Sequence, residues 1–459
     1  MAKDSVSIIT LPPSKMVPAL EAMLRTKKRA TFMWGGPGLG KSEISRQIAD
    51  AHNMAFIDMR LSQMEPTDMR GVPYSDTYCG VSGVQWSVPS VLPRDLNLSW
   101  VEDVLEEETT FYFTKANPLG SNNIHYCLNP QISVKAIGKG KVARVIDSGL
   151  DWVKVALYSE DDVAFHTPIE GKVRINVVGK ARGIIGLEEF NSAPPSVQAA
   201  AYQFVLDRRL GDYIVPDDCY IMGMGNRDTD KGITYKMATP IMNRFVHLEL
   251  VHNFEDWQQW AIRNNIHSTV VGYLSHFNDK LYKFDPTSAS RGFETPRSWS
   301  AVSDILKAEG NDDLEFAVML SLVAGAIGDG TAREFMETKA LTTDLPMVAD
   351  VLSGKVKSIK KVQVVIQHMF VTSLCYELGK RQAEYIETHG DKGAFKKSKD
   401  YKDFNAAVDN YITFVIENMM PEIAIMSLRL ALKAHDLLIT DSTAWKAALT
   451  KYRHLMNPS

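Results

Sequence analysis

The sequence is poor in the residues that build disulfide frameworks and metal clusters. Its four cysteines lie far apart with no C-x-x-C spacing, and its 11 histidines form no H-E-x-x-H pattern. We therefore predict reduced, mostly buried thiols in a cytosol-like compartment, and no structural zinc site. The cysteines are Cys79, Cys127, Cys219 and Cys375.

An excess of one charge and a long apolar run are also missing. Lys and Arg number 51 against 55 Asp and Glu, which gives a formal net charge of -4. This balance provides no overall attraction to nucleic acid or to an anionic membrane, and any such contact would have to be local. The longest apolar run, residues 316–328, is too short to cross a bilayer and predicts a buried helix. The N-terminus has no uninterrupted apolar segment, so we expect no secretory signal and a cytoplasmic protein.

The chain begins with a pattern that is typical of a parallel sheet. Its 459 residues are enough for two or three compact units. An apolar run at residues 30–34 precedes a glycine-rich loop, a helical segment follows at 42–52, and a second apolar run follows at 55–59. Further apolar runs lie at 220–224 and 245–250. This order predicts an α/β core with helices on the faces of the sheet.

The segment between Lys41 and Glu188 is about 80 residues longer than two βαβ steps need. Within it, Val153, Val155 and Leu157 alternate with less apolar residues, which predicts antiparallel strands. We predict an inserted β-rich domain at residues 96–180, interrupting an α/β core that spans 1–250. Residues 131–182 contain nine Lys or Arg against six Asp or Glu, which is too slight an excess to indicate nucleic acid. The open alternatives are solvated strand faces and a docking platform for a protein.

After residue 250 the sequence is helical in character. Asn253 and Thr295-Pro296 are typical helix starts. We predict a helical lid over residues 251–350 and a helical extension over 351–459. Residues 390–403 are rich in Lys and Asp and predict an exposed connector.

Residues 35–42 read G-G-P-G-L-G-K-S and fit the phosphate-loop pattern G-x-x-x-x-G-K-[ST]. The glycines let backbone N–H groups surround a polyphosphate at a helix N-terminus, where the dipole favours anions. Lys41 is expected to reach the β- and γ-phosphates of ATP, and the Ser42 hydroxyl to bind Mg²⁺. A chance glycine-rich turn is the alternative, but the strand before the loop and the helix after it argue against one. The predicted nucleotide-binding residues are Gly35, Gly36, Pro37, Gly38, Leu39, Gly40, Lys41, Ser42 and Glu43.

Two adjacent carboxylates, Glu188 and Glu189, end the apolar strand G-I-I-G-L. Ligands in α/β sheets bind at the carboxyl ends of the strands, and successive strand residues point to opposite faces. Glu188 is therefore predicted to hold Mg²⁺, and Glu189 to orient and deprotonate the attacking water. The alternative is a solvated acidic strand end.

Three further polar residues are candidates for catalysis. Asn226 follows a buried strand and could position water against the γ-phosphate, although an isolated Asn is more often a turn former. Arg244 and Arg297 are candidate cations for the transition-state charge, because a guanidinium can contact phosphate oxygens at two places at once.

In their order along the chain, these motifs resemble those of the AAA+ superfamily of ATPases, and more specifically its MoxR-like branch. The resemblance is carried by residues 61–73 (LSQMEPTDMRGVP), 187–200 (LEEFNSAPPSVQAA), 224–228 (MGNRD), 242–249 (MNRFVHLE) and 295–299 (TPRSW). It implies that residues 35–42 are the Walker A loop, Glu188-Glu189 the Walker B pair, Asn226 sensor 1, Arg244 the arginine finger for a neighbouring subunit, and Arg297 sensor 2.

The resemblance also implies an assembly and a type of work. Members are ATP- and Mg²⁺-dependent motors, so we expect a homo-oligomeric ring, a hexamer, that remodels a protein client. It further implies a partner with a von Willebrand factor A domain. Residues 72–86 would form a β-hairpin facing the central channel of the ring. Arg208 and Arg209 are weaker candidates for contacting the adjacent subunit.

The sequence departs from the family in two respects. The family usually has Asp-Glu where this chain has Glu188-Glu189, so the first carboxylate is displaced by one methylene. The inserted β domain is also not standard. Two other functions therefore remain open: a DNA-directed translocase or remodeller, and a slow-hydrolysing, ATP-dependent assembly switch.

Overall fold

The structure, a computed structural model, describes residues 9–26, 29–78, 81–87, 89, 91–112, 126–127, 130–149, 152–211, 213–230, 235–288, 290–311 and 314–456. It divides into two compact units, Met1–Val251 and His252–Ser459.

The first unit contains the strands and a smaller number of helices. In chain order its strands are β1 (Thr10–Leu11), β2 (Ala30–Trp34), β3 (Ala55–Arg60), β4 (Pro73–Tyr78), β5 (Val81–Trp86), β6 (Leu96–Val104), β7 (Thr109–Tyr112), β8 (Gln131–Ile137), β9 (Lys141–Ser148), β10 (Trp152–Ser159), β11 (Gly171–Gly179), β12 (Gly183–Glu188), β13 (Arg209–Leu210), β14 (Tyr213–Ile214), β15 (Cys219–Gly225) and β16 (Phe245–Leu250). Its helices are α1 (Pro13–Thr26), α2 (Lys41–Ala51), α3 (Pro66–Arg70), α4 (Pro195–Asp207) and α5 (Thr239–Met242).

A six-stranded parallel sheet in the order β1-β16-β2-β15-β12-β3 forms the centre of this unit. Every residue of β12 and β15 is buried, as expected for parallel strands that are covered on both faces. On one face, Ser45 of α2 lies against Met222 and Met224. On the other face, Phe204 of α4 belongs to the same buried cluster as Phe32. The sheet is therefore held between helices.

The inserted segment forms two three-stranded antiparallel sheets, β7-β10-β9 and β6-β11-β8. Val153, Val155 and Leu157 of β10 are fully buried as predicted, but the predicted alternation ends after Val155, because Ala156 and Tyr158 are buried as well. Val173, Ile175 and Val177 of β11 are equally buried. The inward-facing side chains thus give the insert an apolar interior that is continuous with the core of the first unit.

The predicted hairpin at residues 72–86 is present. β4 pairs with β5 from Pro73 opposite Trp86 to Tyr78 opposite Val81. At its base, Val72 N donates to Ser87 Oγ and Ser87 N donates to Val72 O.

The second unit is helical. Its helices are α6 (Phe254–Arg263), α7 (Ser268–His276), α8 (Pro296–Lys307), α9 (Phe316–Ile327), α10 (Asp329–Ala340), α11 (Val348–Leu352), α12 (Val364–His389), α13 (Lys392–Lys397), α14 (Asp400–Asn418), α15 (Pro421–Lys433) and α16 (Thr443–Met456). With the parallel sheet and the insert, this completes the predicted fold class, which is confirmed: an α/β core, an inserted β unit and a helical C-terminal region.

Both predicted helix starts are confirmed. The Asn253 side chain accepts a hydrogen bond from Asp256 N. Thr295 and Ser298 exchange the two bonds of a capping box, with Pro296 at the first position of α8. These caps satisfy backbone N–H groups that have no partner within the helix.

The predicted connector at residues 390–403 is mostly exposed, but it contains α13, and Phe395 is fully buried against Tyr385 and Phe404. The burial predicted for residues 316–328 is wrong. Residues 316–327 do form a helix, but only one face is buried, since Phe316, Val318 and Leu322 are exposed. Hydrophobicity alone could not indicate which face finds a neighbour.

The described cysteines, Cys127, Cys219 and Cys375, are free and buried as predicted. Burial raises the pKa of Cys219 to about 12 and that of Cys127 and Cys375 to about 11, so these thiols are protonated and unreactive at neutral pH. Cys79 lies outside the described residues. In the part of the chain that the structure describes, no helix has the length and apolar character required to traverse a bilayer.

Candidate functional site

The predicted site residues of the first unit follow neighbouring strands of the parallel sheet. The phosphate loop follows β2, Asn226 follows β15, and Glu188 ends β12, and these three strands are adjacent in the order β2-β15-β12. Because the strands are parallel, their carboxyl ends lie at the same edge of the sheet. Residues that are up to 185 positions apart in sequence are therefore brought to one edge.

The phosphate loop has the backbone that its glycines predict. Gly38 and Gly40 have φ angles of 73° and 84°. Residues other than glycine rarely adopt such positive φ angles. Gly40 is the N-cap of α2, and α2 begins at Lys41. The first-turn N–H groups of this helix are thus directed towards the loop, with Ser42 and Glu43 in the first turn.

Lys41 lies inside the loop. Its Nζ donates to Gly35 O at 2.8 Å, to Gly36 O at 3.1 Å and to Asn226 Oδ1 at 3.1 Å. The bond to Asn226 joins the phosphate loop to the end of β15. Two of the residues predicted separately from the sequence are therefore in direct contact.

Glu188 is the last residue of β12 and is only 8% exposed. Its side chain lies on the α2 face of the sheet, because Gly186 pairs with Met222, which contacts Ser45 of α2. Glu188 Oε1 is buried and has no hydrogen-bond partner among the described residues. A buried carboxylate oxygen without a partner is costly. It fits the role of a ligand for a cation or for water.

Glu189 has a left-handed backbone conformation with φ 54° and ψ 34°. This conformation turns the chain away from the strand, so the side chains of Glu188 and Glu189 point in different directions. The Glu189 side chain is exposed, and its Oε2 accepts a short hydrogen bond from Ser62 Oγ. Ser62 lies in the 3₁₀ turn Leu61–Gln63 directly after β3.

Asn226 is held at two points. Its side-chain Oδ1 accepts from Lys41 Nζ, and its backbone O accepts from Asn191 Nδ2 at 2.7 Å. Asn191 lies in the 3₁₀ turn Phe190–Ser192 that follows Glu189. Sequence reasoning missed both Ser62 and Asn191, because a single polar residue in a turn carries no signal of its distant partner.

The predicted arginines are placed differently. Arg244 is exposed between α5 and β16. Arg297 is exposed in the first turn of α8, in the second unit. Arg208 ends α4 with φ 53° and donates to Pro216 O and Cys219 O, so it supports the fold of its own subunit. Arg209 is exposed at the start of β13.

A separate cavity of about 330 Å³ lies at the opposite, amino edge of the sheet. It is lined by residues that include Glu21, His52, Arg182 and Asp218. His52 Nε2 and Glu21 Oε1 are 3.2 Å apart. Because this cavity is at the other end of the strands, it is distinct from the phosphate-loop site.

No protein-family model matches the chain, and no curated protein matches it. Solved structures match the chain at low sequence identity and low TM-score. A candidate ATPase from Cytophaga hutchinsonii is 11% identical over 93% of this chain and 82% of that one, with a TM-score of 0.28. A RuvB mutant from Thermotoga maritima is 14% identical over 85% of each chain, with a TM-score of 0.29. NtrX from Brucella abortus, solved with ATP, is 11% identical over 83% of this chain and 69% of that one, with a TM-score of 0.31.

At such identities and TM-scores the likeness carries no information on activity, substrate or assembly.

Proposed function

We propose that this protein is an ATP-hydrolysing motor subunit of the MoxR type, which assembles into a hexameric ring and remodels a protein client. The observation that carries the proposal is the contact at 3.1 Å between Lys41 Nζ and Asn226 Oδ1, at the sheet edge where β12 delivers Glu188 and Glu189. A phosphate loop alone would support nucleotide binding. A phosphate loop in contact with an amide, at a sheet edge that also carries two carboxylates, supports hydrolysis.

In this proposal the residues have separate tasks. The N–H groups of the phosphate loop and the start of α2 bind the triphosphate, and Lys41 exchanges its carbonyl contacts for phosphate oxygens. Asn226, which already contacts Lys41, orients the attacking water. Glu189 accepts the proton of that water. Ser62 Oγ donates a hydrogen bond to Glu189 Oε2, so Glu189 Oε1 remains available to the water.

The residues present fit a magnesium ion. Glu188 Oε1 is buried without a protein partner, and Ser42 lies in the first turn of α2 on the same face of the sheet. Carboxylate and hydroxyl oxygens are suitable ligands for Mg²⁺. When bound with ATP, Mg²⁺ would neutralise charge on the phosphates. Glu188 in place of the more usual Asp keeps the charge and extends the reach by one methylene.

Assembly is proposed on the position of Arg244. Its guanidinium is exposed and makes no hydrogen bond or ion pair within the described part of this chain. An exposed arginine between α5 and β16 suits action on the nucleotide of a neighbouring subunit. Arg297 in the second unit is proposed as the cation of the lid, and the β4–β5 hairpin as the element that faces the client. The proposed partner with a von Willebrand factor A domain rests on the sequence resemblance.

The decisive experiment measures ATP turnover and particle size for the wild type and for Lys41→Ala. We expect wild-type turnover, six-fold rings in ATP and Mg²⁺, and loss of nucleotide binding in Lys41→Ala. The matched control is Lys135→Ala, an exposed lysine of the insert, which should behave as wild type. Retained ATP binding by Lys41→Ala would rule out the phosphate-loop assignment.

The same assay separates the alternatives. Turnover that requires DNA and falls steeply with salt would indicate a DNA-directed motor. Turnover equal to that of Lys41→Ala, with assembly that still depends on ATP, would indicate a switch. Either result contradicts the proposed client-remodelling motor.

A further inference from the structure

Asn191 is polar yet almost completely enclosed. Only 1% of it is exposed. Its Nδ2 donates to Asn226 O at 2.7 Å, its backbone O accepts from Tyr235 N at 2.6 Å, and its Oδ1 is buried with no partner among the described residues. An unpartnered buried carbonyl oxygen costs about 1–3 kcal/mol. An apolar side chain of similar size would avoid this cost, so the amide at this position is not explained by stability.

The Asn191 amide lies between the Glu189 turn and the contact of Asn226 with the phosphate loop. Asn191 follows Glu189 by two residues, in a short turn that Ser192 N closes by donating to Glu189 O at 2.9 Å. From there its Nδ2 reaches the backbone of Asn226, whose side chain contacts Lys41. A continuous chain of contacts therefore runs from the Glu189 turn through Asn191 to the phosphate loop.

Gly225 makes this arrangement sterically possible. A Cβ atom at position 225 would lie 2.4 Å from Asn191 Oδ1 and 2.9 Å from the Phe32 ring. Both distances are far below van der Waals contact. The residue before Asn226 must therefore lack a side chain if Asn191 is to reach the Asn226 carbonyl.

We propose that Asn191 is a positioning residue, which fixes the backbone of Asn226 relative to Glu189 so that the water-orienting amide and the general base act on the same water. This inference rests on the proposed ATPase function. Asn191 does not contact the nucleotide in this scheme. Its loss should therefore lower kcat and leave the KM for ATP and the affinity for ATP unchanged.

The primary test is Asn191→Asp, which keeps size and replaces the N–H donor by an oxygen. We expect kcat to fall by about 10- to 100-fold, the effect of a misplacement on the order of 1 Å. Burial raises the pKa of the introduced carboxyl, and its protonated form can again donate to Asn226 O. The kcat ratio of variant to wild type, taken per folded molecule, should therefore rise as pH falls, whereas a purely structural defect would change only the folded fraction.

Two further variants make the test independent of one substitution. Gly225→Ala should displace Asn191 and lower kcat to a similar extent, which keeps the test decisive if Asn191→Asp does not fold. Its KM for ATP is not used, because Gly225 O also accepts from Gly35 N of the phosphate loop at 3.2 Å. Gln198→Glu is the matched control, because Gln198 is 4% exposed and its Nε2 donates to Ala193 O without contacting the site. It should lower the thermal unfolding temperature and retain wild-type kcat.

The outcomes separate this inference from the proposed function. Wild-type kcat in both Asn191→Asp and Gly225→Ala would overturn the inference and leave the ATPase intact. A loss in Gln198→Glu equal to that in Asn191→Asp would also overturn it, since the effect would then be general destabilisation. Absence of wild-type turnover above that of Lys41→Ala would overturn the proposed function, and this inference with it.

Discussion

The carboxyl edge of the parallel sheet and the inserted β domain differ in how completely their buried polar groups are paired. In the insert, β11 pairs without interruption from Gly171 opposite Val104 to Gly179 opposite Leu96, and no buried unpartnered side-chain polar atom occurs among its described residues. At the sheet edge, Glu188 Oε1 and Asn191 Oδ1 are buried with no partner among the described residues.

The difference indicates that the carboxyl edge of the sheet contributes less to the stability of the fold than the insert does. Buried unpaired oxygens each cost about 1–3 kcal/mol. Each such group in a native structure calls for an explanation, and a catalytic or ligand-binding role is one of them. The comparison predicts that changes at the edge act mainly on turnover, whereas changes inside the insert act mainly on stability.

The largest effect is expected for Arg244→Ala. Loss of an arginine finger lowers the rate by about 10³- to 10⁵-fold, and ATP binding should remain near normal. Steady-state turnover and nucleotide titration would measure both. Arg174→Ala, an exposed arginine of the insert, is the control and should keep full turnover.

An experiment with mixed subunits tests whether Arg244 acts on the nucleotide of a neighbouring subunit. Rings mixed from Arg244→Ala and Glu189→Gln subunits should recover part of the activity, because some interfaces combine an intact Arg244 with an intact Glu189. Full activity of Arg244→Ala alone would remove this residue from the site.

A smaller effect is expected for Glu189→Gln. Removing a general base lowers turnover by about 10²- to 10⁴-fold, while ATP binding and ring assembly persist. The matched change Glu160→Gln, at an exposed turn of the insert, should have no effect on turnover. If both variants hydrolyse ATP at the wild-type rate, the edge is not a catalytic centre.

Ser62→Ala should lower kcat by about 10- to 100-fold, since a hydrogen bond to a charged group contributes roughly 1.5–3 kcal/mol and about 1.4 kcal/mol corresponds to a factor of ten. The control is Ser99→Ala in the insert, where Ser99 Oγ donates to Asn176 Oδ1 at 2.7 Å. Increased turnover in Ser62→Ala would show that Ser62 restrains Glu189 from acting.

The smallest effect on turnover is expected for Ile175→Ala. Ile175 is fully buried in the insert, so its truncation should reduce the free energy of unfolding by about 2–5 kcal/mol. Turnover per folded molecule should not change. Val178→Ala on the same strand is 49% exposed before substitution and should alter stability by less than about 0.5 kcal/mol. A selective loss of kcat in Ile175→Ala would contradict the division between the two regions.

Contiguous motifs were predictable from the sequence. Residues 35–42 combine a strand end, positive-φ glycines and a helix start within a short stretch, and the period-two alternation around Val153 depends only on neighbours along one strand. The caps at Asn253 and Thr295 are similarly local. The assigned chemical roles of Glu189, Asn226, Arg244 and Arg297 stay predictions.

Non-local features were not predictable. Ser62 and Glu189 are 127 positions apart, and Asn191 and Asn226 are 35 apart. The buried face of α9 depends on which neighbours cover it. In the charged segment 390–403, Phe395 is buried by aromatic rings that come from other helices.

The sequence by itself determined the local geometry: a phosphate loop between a strand and a helix, an alternating β insert and a helical second half. Backbone dihedral preferences and side-chain periodicity act over a few residues, so they can be recognised in one linear chain. Only the tertiary structure decided that β15 lies between β2 and β12, and so brought Asn226 to Lys41 and Asn191 to Asn226. Strand order depends on long-range packing and parallel register, which no short stretch of sequence specifies.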